Sequence, residues 1–138
     1  MNMRPTALGI MIVTVGFLVF GSLASADTLE KAKQSVRGGG VKVSVDLMEQ
    51  TRNGATFRVS MDTHSVNLDV YRFGEIVRLR DVGGRELVPT SVEGIGGGGH
   101  HRKATLQFSW PQPKPKTVIL VVKDVAGVPE RLFRWTVE

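Results

Sequence analysis

Three histidines, His64, His100 and His101, and the carboxylate of Asp62 are the side chains whose types and spacing could hold a metal ion. His64 stands in SMDTHSVNLD, two residues after Asp62. On extended backbone such residues share a face, because side chains alternate with a period of two. The pair can therefore offer one carboxylate oxygen and one imidazole nitrogen to a single ion. His100 and His101 close the glycine run GIGGGGHHRK, residues 94–103. Strictly extended, they would point to opposite faces, but glycines let the backbone bend so that one or both turn toward a common point. Ligands of this kind suit Zn²⁺ or Cu²⁺. Met48 and Met61 could add thioether sulfur for Cu⁺, although Met61 shares its parity with Phe57 and Val59 and belongs to the core. The alternative is a loop held in place, with His64 hydrogen-bonding to the backbone of residues 94–101.

Gly94, Gly96 and Gly99 also match the spacing G-x-G-x-x-G. A dinucleotide turn needs a strand before the glycines, a helix after them and a parallel βαβ unit around them. Here HHRK and an alternating strand pattern follow, so the match is accidental. Nor does a catalytic set emerge. Ser65 adjoins His64 and is poorly placed to be its nucleophile partner, no paired carboxylates converge, and Glu93 is the one carboxylate in the glycine loop. A hydrolytic metal centre would need an open coordination position as well as a base. The expectation is a protein that is not an enzyme.

The elements that must position these residues read as strands. Val41, Val43, Val45 and Leu47 alternate with Lys42, Ser44 and Asp46, and after the turn signal Asn53-Gly54, Phe57, Val59 and Met61 alternate with Arg58, Ser60 and Asp62. This predicts a hairpin with the apolar sets side by side in the core. Val77 and Leu79 form a further strand before Gly83-Gly84. Leu106, Phe108 and Trp110 alternate in another, which must end at PQPKP because proline lacks a ladder donor. The apolar run Val118 to Val122 suits a central strand, and Phe133, Trp135 and Val137 close the domain after Gly127-Val128-Pro129. About seven short strands with no convincing helix predict an all-β, immunoglobulin-like antiparallel sandwich over residues 41–138. Residues 27–40, DTLEKAKQSVRGGG, read as a tether broken by its triple glycine.

The first 26 residues read as a cleaved secretory signal: Arg4, an uncharged apolar stretch, then Ala24-Ser25-Ala26. The expected location is periplasmic or secreted, with no stable membrane span after cleavage. The chain has 18 Lys+Arg against 13 Asp+Glu; only Arg4 is lost with the signal, leaving a formal charge of +4. Zero cysteines exclude disulfides and thiolate chemistry. The basic residues are spread along the sequence, so nucleic acid is not expected as a partner. An anionic envelope polymer or an envelope protein fits better.

DTHSVNLD, followed about three dozen residues later by GGGGHHRKATLQF and then by DVAGVPERLFRW, resembles a family of small exported bacterial and archaeal domains. Its members carry a (D/N)THSV-x-L segment and a GGHH-R-x-x-x-L-x-F segment. The resemblance implies that His64, His100 and His101 belong to recurring signatures on an immunoglobulin-like sandwich, and it brings no activity. Asp62 and His64 also resemble the D-x-H motif of the CopC-type periplasmic copper carriers. Those proteins use an N-terminal histidine, where this mature chain would begin at Asp27. Two functions are thus expected: divalent metal binding (Zn or Cu) through His64, His100, His101 and Asp62, or an interaction domain in which the histidines pin loops and a sheet edge or basic face meets a partner.

Overall fold

In a computed structural model that describes residues 32–138, the period-two segments fold as strands with their apolar sides turned inward. Strand β2 (Val41–Gln50) and strand β3 (Gly54–Thr63) form the expected hairpin. Val43 stands opposite Met61, Val45 opposite Val59 and Leu47 opposite Phe57. Val43, Val45, Phe57, Val59 and Met61 are wholly buried, whereas Arg58 is exposed. Burying side chains of this size stabilises the fold by about 1.5–3 kcal/mol each. Gly54 opens β3 instead of sitting within the turn. A Cβ there would lie 2.0 Å from the Phe108 carbonyl oxygen, so glycine allows the neighbouring strand to approach.

The remaining strands are β1 (Lys33–Gly38), β4 (Val77–Asp81), β5 (Glu86–Leu87), β6 (Ser91–Gly98), β7 (His101–Ser109), β8 (Thr117–Val125) and β9 (Val128–Thr136). They make two antiparallel sheets, one ordered β1-β2-β3-β7-β6 and the other β5-β4-β8-β9. The apolar run at 118–122 lies in β8, between β4 and β9, as its composition requires. The sheets pack face to face through Phe57, whose ring lies 5.8 Å from Trp135 of the second sheet and 6.1 Å from Phe108 of its own. The result is the expected all-β sandwich.

Among the described residues there are nine strands where the alternation suggested about seven. The two-residue β5 is too short to show a period. Strand β1 falls within the segment read as a tether. It pairs with β2 from Lys33 opposite Asp46 to Gly38 opposite Val41, and only Val36 of its side chains packs against the core. Arg131, 1% exposed, fastens this edge to the other sheet by donating to the carbonyls of Val125 (2.9 Å) and Gly38 (2.6 Å). Burial pushes the Arg131 pKa down, yet guanidinium stays charged in proteins.

The signal segment lies outside the described residues. Among the described residues, no helix is long and apolar enough to cross a membrane.

Candidate functional site

Strand β3 ends because Thr63 turns the chain. Its hydroxyl accepts from the backbone N–H groups of Ser65 and Val66 (both 3.2 Å) and donates to the Gly40 carbonyl (2.8 Å). The connection that follows carries His64 and a 3₁₀ turn at Leu68–Val70, started by Asn67, whose side chain accepts from Asp69 N–H. The tip of the β6–β7 hairpin grips this connection. Thr63 N–H donates to the His100 carbonyl, Leu68 N–H donates to the Gly99 carbonyl, and Gly99 N–H donates to Asp69 Oδ1 (all 2.9 Å). Gly97 is in the left-handed region (φ +77°), and a Cβ there would meet the His101 carbonyl at 2.0 Å. The glycines therefore serve bending and close approach.

Arg102 completes the clamp from the inner side. Its guanidinium donates to the Leu68 carbonyl (2.8 Å) and the Tyr71 carbonyl (2.5 Å), and lies 5.2 Å from the centre of the Phe73 ring. Tyr71 in turn accepts from Ala126 N–H (2.8 Å), tying the connection to the second sheet. The connection is pinned by Thr63, Leu68, Asp69 and Arg102, and not by the His64 side chain that was expected to do so. The side chain of His64 makes no hydrogen bond among the described residues.

Of the four candidate ligands, the structure joins Asp62 and His101. They face each other across β3 and β7, with Asp62 Oδ1 2.7 Å from His101 Nδ1. His64 lines a hollow of about 240 Å³ with them, together with Arg37 and Lys42. His100 is exposed at the hairpin tip and joins none of these contacts through its side chain. Among the described residues, no group of three or more histidine, cysteine, aspartate or glutamate side chains could hold a metal ion.

The pairing of the strands reveals a feature that the sequence conceals. One row of outward residues runs Arg37, Lys42, Asp62, His101, Gly98 across all five strands. The next runs Ser35, Ser44, Ser60, Lys103, Gly96, and the third Lys33, Asp46, Arg58, Thr105, Glu93. Small serines thus occupy the middle and lysines and arginines surround them. A hollow of about 340 Å³ opens there over Ser44 and Ser60, bordered by Lys33, Lys42 and Lys103. A third hollow, of about 290 Å³, adjoins it at Lys103 and extends to Arg58. Three carboxylates share this face: Asp62, hydrogen-bonded to His101, Asp46, 3.9 Å from Lys33, and Glu93 at the end of the third row. The signal for this face was the parity of each strand, but parity alone does not say which strands are neighbours.

Compared with protein-family models, curated proteins and solved structures, the chain matches none, so the reading of this face rests on its own geometry.

Proposed function

We propose that this protein is an exported, non-catalytic binding module that meets an anionic envelope polymer with the outer face of its five-stranded sheet. The observation that supports it most is the gathering of Lys33, Arg37, Lys42, Arg58 and Lys103 on that one face, along hollows that adjoin at Lys42 and Lys103. Exposed like charges on neighbouring strands repel one another, and a bound polyanion relieves that repulsion. Co-sedimentation of the exported protein with the envelope fraction of its own cell tests this. It should release with added salt, and release by detergent alone would contradict it.

Divalent metal binding is the second reading, favoured by Asp62, His64 and His101 lining one hollow. Arg37 and Lys42 line that hollow too and oppose a cation. Elemental analysis of the protein from its native compartment tests this reading, which requires near-stoichiometric zinc or copper.

A further inference from the structure

We infer that the hollow over Ser44 and Ser60 is a subsite for a phosphate group, held by the ammonium groups of Lys33, Lys42 and Lys103. This rests on the anionic-polymer reading and specifies the group recognised. At about 340 Å³ the hollow is at the lower end of the range for small-ligand sites. Its border carries three lysines against one carboxylate, Asp62, and that carboxylate is already engaged by His101. Among the described residues, neither Lys42 nor Lys103 makes an ion pair, and Lys33 reaches Asp46 only at 3.9 Å.

The donor types favour phosphate over carboxylate. Carboxylates are matched best by the flat, two-pronged guanidinium of arginine, whereas lysine acts as a point charge that suits a multiply charged tetrahedral group. The one guanidinium at this border, that of Arg102, is turned away to the carbonyls of Leu68 and Tyr71. The serine floor adds hydroxyl donors. Ser44 shares a hydrogen bond with Ser35 (2.8 Å), while Ser60 Oγ–H has no partner among the described residues and is available to a phosphoryl oxygen. Small side chains in this row also leave room for the group to sit between the lysines instead of above them.

The exported protein is titrated at fixed ionic strength with inorganic polyphosphate, with polygalacturonate and with orthophosphate. Lys42→Gln and Lys103→Gln are the test variants. Lys116→Gln, outside this face, controls for loss of one charge. Polyphosphate affinity should fall about tenfold for each test variant. It should fall no more than about twofold for Lys116→Gln, and polygalacturonate should bind more weakly than polyphosphate throughout. If both polymers bind but all three variants weaken them alike, the subsite is wrong and the wider reading survives. If neither polymer binds, both fail. Orthophosphate binding as tightly as polyphosphate would overturn the polymer assignment and leave a free-ion site.

Discussion

Asp62 and His101 stand opposite each other on β3 and β7, joined by a 2.7 Å contact from Nδ1 to Oδ1 in the row that begins with Arg37 and Lys42. With side chains 46% and 71% exposed, the pair contributes little to stability. Its effect is to place a negative charge beside Lys42. Asp62→Asn should therefore change stability by less than about 1 kcal/mol and tighten polyanion binding several-fold. Calorimetric titration reads this directly, and weaker binding would show that Asp62 contacts the ligand through a cation.

Arg102 is the residue whose loss should damage the fold most within the site. Arg102→Ala removes charged donors from the carbonyls of Leu68 and Tyr71 and uncovers Phe73. A cost of about 2 kcal/mol follows from losing these charged hydrogen bonds; the Tyr71 carbonyl is left without this donor, while that of Leu68 keeps the Tyr71 N–H at 3.2 Å. Urea unfolding should show it as a lower midpoint, with faster amide exchange at Leu68. An unchanged midpoint would mean the backbone bonds of Gly99 and His100 hold the connection alone.

How much of this was legible in the sequence follows from parity. The hairpin register was readable because Phe57, Val59 and Met61 place every apolar side chain on one face, and a one-residue slip would bury Arg58. Parity also put Asp62 outward with Arg58 and Ser60, but left open which of His100 and His101 would join it; the β3–β7 register decides for His101. The period ends at Thr63, which turns the chain, so His64 lines one hollow with Asp62 through that turn and not through strand alternation. Strand β1 escaped notice since KQSVRG offers a single apolar residue to the core, Val36. A basic face was one expectation, but its members were not readable, because Lys33, Lys42 and Lys103 lie in separate segments and only the β1-β2-β3-β7 order brings them together.

The second sheet carries its own charge network, which sets the response to acid. Arg80 contacts Glu86 (2.6 Å) and Glu130 (2.5 Å), and Lys123 contacts Glu86 (2.6 Å). Lys123 and then Arg80 hold the Glu86 pKa below its ordinary value, and Arg80 does the same for Glu130. A carboxylate whose pKa is depressed on folding stabilises the protein above its unfolded pKa, about 4.3, and loses that stabilisation as pH falls through the folded value. The melting temperature should thus be level with respect to these groups from pH 8 to about 5 and drop below. Glu86→Gln should make the acid drop shallower. A drop of unchanged size would assign acid sensitivity elsewhere.

Zn²⁺ and Cu²⁺ provide a contrast between the two readings. A ligand that binds only the folded state raises its melting temperature. With Arg37 and Lys42 beside Asp62, His64 and His101, equimolar Zn²⁺ should leave the melting temperature unchanged near neutral pH. A rise that disappears as the histidines protonate, and is absent in His64→Ala, would restore the metal site.

The salt dependence of polyphosphate binding tests the basic face most directly, comparing the native protein with Lys42→Glu/Lys103→Glu and with Lys116→Glu. A polyanion held by ammonium groups loses affinity linearly on a logarithmic salt scale, with a slope that grows with the number of charges it meets. The native protein and the Lys116→Glu control should share one steep slope, and the double variant should bind weakly with a visibly shallower one. Equal slopes for all three proteins, or binding indifferent to salt, would contradict a ligand held on this face of the sheet.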